Sequence, residues 1–137
     1  MLILAFALIG VGVLVYQGAR ALSGNPIIKS QDDVPRLSVQ EAYQAVRNGE
    51  AVLVDTRSAE QYEAQHAIGA INLPLDILEN QLASLDPDQW YITYCTWPDE
   101  NTSARAAFLM LQANFSKANP IKGGFEAWLN AGYPTEP

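Results

Sequence analysis

Ala51-Val52-Leu53-Val54 is an apolar run that stops at Asp55, just after the turn Asn48-Gly49-Glu50. Gly49 suits the left-handed position that closes a helix. A run this short, apolar on both alternate sets of side chains, suits a strand covered on both faces, as in a parallel sheet. Parallel neighbours need crossover connections, usually helices. The rest of the chain supplies them. Ser38 can cap a helix, with Glu41 as its capping-box partner and Ala42, Tyr43 and Val46 on one face. Further helices are predicted over residues 59–64, 75–85 and 103–113, and from Gly123-Gly124 through Trp128. Further short strands are predicted over 68–74, 91–94 and 118–121. Strands alternating with helices predict an α/β fold around a parallel central sheet. Ligands bind beyond the carboxyl ends of such strands, and Asp55 and Cys95 both fall at such ends.

The chain has 137 residues, enough for one domain with a sizeable core. It holds one cysteine and one histidine, which excludes an internal disulfide and argues against a cysteine- or histidine-based metal site. Net charge is −7, and the eight Lys and Arg form no basic stripe, so nucleic acid is a poor partner. Neither GxxxxGK[ST] nor GxGxxG occurs.

Residues 1–19 carry no charged side chain and are almost continuously apolar to Tyr16. At about 1.5 Å per residue they span just under the roughly 30 Å hydrocarbon core. Ala19-Arg20-Ala21 would fit a signal-peptide cleavage site, but no basic segment precedes the apolar run. The reading is therefore a single transmembrane anchor over 1–19, a tether over 20–36 and a domain over 37–137. Arg20, Lys29 and Arg36 follow the anchor, and the positive-inside rule then places the domain in the cytoplasm.

Cys95 ends the strand over 91–94, and Pro98 prevents simple continuation. Asn101 or Thr102 can cap the helix that follows. A loop there can turn N–H groups inward, and the helix presents its positive end; both favour a thiolate, the nucleophilic form of cysteine. A small buried cysteine after an apolar strand is the competing reading.

The chain resembles the rhodanese-like (sulfurtransferase) family over about residues 37–137. Val54-Asp55-Thr56-Arg57 with Glu60, Tyr62, His66, Gly69-Ala70, Asn72 and Pro74 is similar to its first signature. Tyr94-Cys95 and the small-residue helix after it resemble the active-site strand and loop. Gly123-Gly124-Phe125-Glu126-Ala127-Trp128 with Gly132-Tyr133-Pro134 resembles its C-terminal signature. The resemblance implies a three-layer α/β domain, here preceded by one transmembrane helix. It also implies sulfur transfer through a persulfide on Cys95, with a sulfane-sulfur donor, a thiol acceptor and no cofactor or metal. Donor contacts would come from the loop: Thr96, Trp97, Asp99, Glu100, Asn101, Thr102 and Ser103. Asp55, Arg57 and Arg105 would support it.

The loop resembles an extended variant with a Cys-x-Cys-Pro-Asn/Asp-Glu run, in which Trp97 replaces the second cysteine. The family's usual arginine, five residues after the cysteine, is here Glu100, and the first arginine is Arg105. Arg105 can turn toward the loop or lie on the outer helix face. Asp99 and Glu100 are expected to oppose both a thiolate and an incoming anion unless they point outward. Asp55 and Arg57 are expected to pair or to cap the next helix, His66 to be a structural hydrogen-bonder, Gly123 and Gly124 to shape a turn facing the loop, and Trp128 to be core. Two other functions stand beside sulfur transfer. One is a catalytically weak module that binds a protein partner at the membrane. The other is an oxyanion-binding phosphatase or arsenate reductase, which lacks an arginine to close its loop.

Overall fold

The computed structural model describes residues 27–96 and 100–137. The expected anchor over 1–19 lies outside them, as do residues 20–26 of the expected tether and Trp97, Pro98 and Asp99. Among the described residues, no helix is long and apolar enough to cross a membrane.

The apolar run forms β1 (Ala51–Asp55), flanked by β3 (Ile71–Asn72) and β4 (Trp90–Tyr94), with β5 (Lys117–Pro120) beyond β4. All pair in parallel, in the order β3-β1-β4-β5. Among the described residues, five α-helices precede or connect the strands: α1 (Val39–Arg47), α2 (Ala59–Ala64), α3 (Leu75–Gln81), α4 (Asn101–Gln112) and α5 (Gly124–Asn130). Strand alternation divides the core in two. Ala51, Leu53, Ile92 and Tyr94 pack with Val39, Ala42 and Ala45 of α1 and with Phe125 and Trp128 of α5. Val54 and Tyr91 pack with Leu78 of α3 and with Ala106, Ala107 and Met110 of α4. Helices thus cover both faces of the sheet, in three layers.

Where the structure departs from the sequence reading, the causes are local. Of the strand expected over 68–74 only β3 forms, and a further short strand, not expected from the sequence, precedes it. β2 (His66–Ala67) and β3 are separated by a turn with Gly69 at φ 76° and a hydrogen bond from Ala70 N to Ala67 O. β2 leaves the main sheet and pairs antiparallel with β6 (Thr135–Glu136), a strand not expected from the sequence. The helix expected to reach residue 85 tightens into a 3-10 turn, Leu82–Ser84. α4 begins two residues earlier than expected, with Glu100 as its N-cap rather than Asn101 or Thr102.

The larger correction concerns residues 28–36, read as part of a tether. They form a strap over the second core. Val34 is 1% exposed, and Ile28 packs against the same core cluster. A 3-10 turn, Gln31–Asp33, is closed by Asp33 Oδ2, which accepts from the N–H groups of Lys29 and Ser30 at 2.9 Å each. These bonds hold the Asp33 carboxyl below its ordinary pKa. Leu37 then bridges to Ile121 beside β5. Burying a valine is worth about 1.5–3 kcal/mol. A chain starting at Arg36 should therefore melt roughly 5–15 °C below one starting at Ile27. Equal melting temperatures would mean that the strap adds nothing to stability.

Candidate active site

Cys95 follows β4 directly and is 4% exposed. Both neighbouring loops fix the strand end that carries it. Thr56, after β1, donates to Tyr94 O from its N–H at 3.0 Å and its Oγ1 at 2.9 Å. Phe125 N, at the start of α5, donates to Cys95 O at 2.8 Å. On the other sheet face, Thr93 Oγ1 donates to Ser103 O at 2.7 Å, tying the first turn of α4 to the same strand.

Ser103 is fully buried, and its Oγ lies 3.3 Å from Cys95 Sγ. The thiol donates to Ser103, whose own proton goes to Glu100 O at 3.1 Å. A hydroxyl rotates, so on ionisation of Cys95 the Ser103 proton can turn to the sulfur instead. The positive end of α4, a twelve-residue helix, favours the same anionic state.

Cys95 opens into a cavity of about 400 Å³ whose walls, among the described residues, are hydroxyls, an amide and one cation: Thr56, Arg57, Ser58, Gln61, Thr96 and Thr102. Ser58 Oγ also caps α2, accepting from Gln61 N at 3.3 Å, so that helix start is held against the opening.

Arg57 is the cavity's cation, and a buried network aims it. Its Nε reaches Asp55 Oδ1 and Oδ2 at 3.0 and 3.1 Å, and its Nη2 reaches Asp55 Oδ2 at 2.7 Å. Nη2 also donates to Gln65 O at 2.7 Å, and the guanidinium lies 4.2 Å from the Phe125 ring centroid. These bonds use Nε and Nη2; among the described residues, Nη1 makes none. Asp55 is fully buried and also accepts from Tyr94 Oη at 2.9 Å. Burial works against the charge of Arg57, but the hydrogen bonds and charge of Asp55 outweigh it and raise the guanidinium's pKa further. Burial, and then the Asp55 charge, push the Tyr94 phenol far above its ordinary value. Asn72 Nδ2 closes the network by donating to Asp55 O and Arg57 O at 3.0 Å each.

Of the two loop carboxylates, Glu100 is described, and its surroundings differ from expectation. Glu100 neither faces solvent nor lies free beside the thiol. Its Oε1 accepts from Gly123 N at 2.6 Å, and its Oε2 lies 3.6 Å from Arg36 Nε. Gly123 holds φ 81° as the N-cap of α5, the turn expected to face the loop. Trp97 and Asp99 lie outside the described residues, and with them the middle of the expected extended loop. Arg105 is exposed on α4 and does not line the cavity. Asn101 is exposed and accepts from Gln31 Nε2 at 3.2 Å.

Arg36, Ser58 and Gln61 were not picked out by the sequence. Ser58 and Gln61 had a usable signal, since they follow the carboxyl end of β1. Arg36 had none. His66 is buried, with Nδ1 2.7 Å from Tyr62 O and Nε2 3.2 Å from Glu136 Oε1, in the small β2-β6 sheet. Trp128 is core, its Nε1 donating to Pro134 O at 2.9 Å. Among the described residues, no three His, Cys, Asp or Glu come together as a metal site.

The rhodanese-like domain family matches residues 38–131, and the chain belongs to that family. Solved structures agree in fold. A protein from Lactobacillus plantarum is 25% identical with a TM-score of 0.68, over 74% of this chain and 87% of that one. The BH2092 protein of Bacillus halodurans is 28% identical with a TM-score of 0.67, over 74% and 75%. The human single-domain sulfurtransferase TSTD1 is 24% identical with a TM-score of 0.63, over 70% and 96%.

Proposed function

We propose that the protein is a sulfurtransferase that carries sulfane sulfur as a persulfide on Cys95. One observation carries the reading: the chain's single cysteine opens at a strand end into a polar cavity, between the start of α4 and a cation held by Asp55. The human structural neighbour bears the name of a single-domain sulfurtransferase, and its fold is shared.

The Cys95 thiolate attacks the outer sulfur of a donor such as thiosulfate or a small persulfide. The donor's S–S bond breaks, the leaving sulfite or thiolate takes the electron pair, and Cys95 becomes a persulfide. An acceptor thiolate, or cyanide, then attacks the outer sulfur and returns Cys95 to thiolate. No external oxidant is needed. Ser103 Oγ and the start of α4 stabilise the anionic sulfur, and Arg57 Nη1 meets the donor's negative end. The decisive measurement is the intact mass of the protein after incubation with thiosulfate or a small-thiol persulfide. One added sulfur, removed by cyanide, is expected.

A second reading draws on Glu100, which stands where the family usually has an arginine. In it the domain binds a protein partner and transfers sulfur weakly or not at all. No sulfur gain from any donor class would favour it.

The uncharged stretch over 1–19 supports a single-pass membrane protein, and Arg20, Lys29 and Arg36 after it support a domain in the cytoplasm. The full chain should stay with membranes through high-salt and carbonate washing. Its recovery in the soluble fraction, or a mature N-terminus mapped at Leu22, would remove the anchor.

A further inference from the structure

The loop after Cys95 is fastened at its far end by residues that lie outside the family match. Arg36 stands on the strap, two residues before the match begins at 38. Its Nη1 donates to Gln31 O at 2.8 Å and to Val34 O at 2.7 Å, which locks the side chain in place. Its Nε then meets Glu100, the N-cap of α4, at 3.6 Å, with both side chains about three-quarters buried, at 24% and 22% exposure. Glu100 is connected to the reactive sulfur through one residue, since Ser103 Oγ bonds both Glu100 O and Cys95 Sγ. A carboxylate so placed would repel an anion approaching Cys95. It is held there by Gly123 N at 2.6 Å, so it cannot swing away without losing that bond. A nearby cation would offset its charge.

We propose that Arg36 is a positioning and specificity-determining residue of the Cys95 site: it pins Glu100 against Gly123 and cancels the charge that Glu100 would otherwise turn on an anionic sulfur donor. The proposal deepens the sulfur-carrier reading, and rests on it for the word donor. The charge balance itself is a property of the site and can be read without sulfur. The strap thereby becomes part of the site, which then includes residues before the family match at 38.

Cys95 is the only cysteine, so alkylation of the full chain reports on it alone. Iodoacetate carries a negative charge and iodoacetamide does not. The ratio of their rates reads the field at the sulfur, free of changes in thiolate content or access that affect both. Arg36→Gln should lower that ratio roughly three- to tenfold at low salt, and less at high salt. Arg36→Lys keeps the charge but loses the fork to the strap carbonyls, and should stay within about twofold of the native ratio. Glu100→Gln should raise the ratio, and combining it with Arg36→Gln should restore a value near the native one. An unmoved ratio in Arg36→Gln, or a fall in Arg36→Lys as deep as in Arg36→Gln, would overturn the proposal in favour of a structural role. If circular dichroism shows that Arg36→Gln does not fold, Glu100→Gln decides alone, and an unchanged ratio there overturns the proposal. Sulfur loading of the native chain is scored separately by mass. Failure there with the ratios as expected sinks only the sulfur-carrier reading. Loading with unmoved ratios sinks only the role of Arg36.

Discussion

Cys95→Ser is expected to abolish sulfur loading and to cut any transfer rate by at least about a thousandfold, while the domain stays folded. Serine keeps the shape of the side chain and can still donate to Ser103 Oγ, 3.3 Å from the present sulfur. It cannot form the S–S bond on which the chemistry depends. The site is buried, so the added polarity should cost about 1 kcal/mol, a shift of only a few degrees in melting temperature. Loading by persulfide and by thiosulfate should vanish together, because the same Cys95 thiolate attacks the outer sulfur of both. A variant that still transferred sulfur would require a second acceptor atom, and the chain has no other cysteine to offer. The persulfide mechanism would then be wrong, whatever the cavity looks like.

Much of this site was legible before any coordinates, for reasons that apply unevenly along the chain. β1 and α1 were readable because their signals are local: an apolar run closed by Asp55, and a Ser38 cap that accepts from Glu41 N at 3.1 Å. Cys95 was placed because a strand, a proline and a helix start succeed one another in sequence. β2 and β6 escaped because each has only two residues and exists through its partner from the other end of the chain. The strap escaped because Ser30, Asp32, Asp33 and Pro35 look like a linker, and Val34 alone does not show which surface it buries. The charge of Glu100 was visible, but its fate was not. Contacts such as Arg36 to Glu100, or Gln31 to Asn101 seventy positions away, leave no periodic trace in either segment. The expectation of a repelling loop was drawn without Arg36, which the structure brings beside Glu100 from outside the residues that match the family.

Asp55→Ala is expected to be among the most damaging single changes in the domain, costing about 3–5 kcal/mol and lowering the melting temperature by roughly 15 °C or more. The carboxylate is fully buried, while the Arg57 side chain is 8% exposed and bonded to it through two nitrogens. Removing the anion leaves a desolvated cation, and Tyr94 Oη loses its acceptor. Asp55→Asn should be nearly as costly, because an amide NH₂ would face guanidinium N–H groups. Arg57→Ala made in the Asp55→Ala background should cost much less than in the native chain, since the pair is already broken. Tyr94 adds a pH signature with a definite sign. Its folded-state pKa is raised by burial and by Asp55, whereas the unfolded phenol titrates near 10. Below pH about 10 both states hold the proton and nothing is lost. Above it the unfolded chain ionises while the buried phenol does not, so stability should fall by about 1.4 kcal/mol per pH unit from this group. Tyr94→Phe removes that slope at the cost of two hydrogen bonds, the one to Asp55 and the one accepted from Ala67 N, about 2 kcal/mol at neutral pH. Urea unfolding of the native and Tyr94→Phe chains between pH 8 and 11 measures the difference and cancels the other tyrosines and lysines. The two stability curves should converge as the pH rises past 10; curves that stay parallel would mean that the phenol ionises as readily in the fold as out of it, and that the network around Asp55 is open to water.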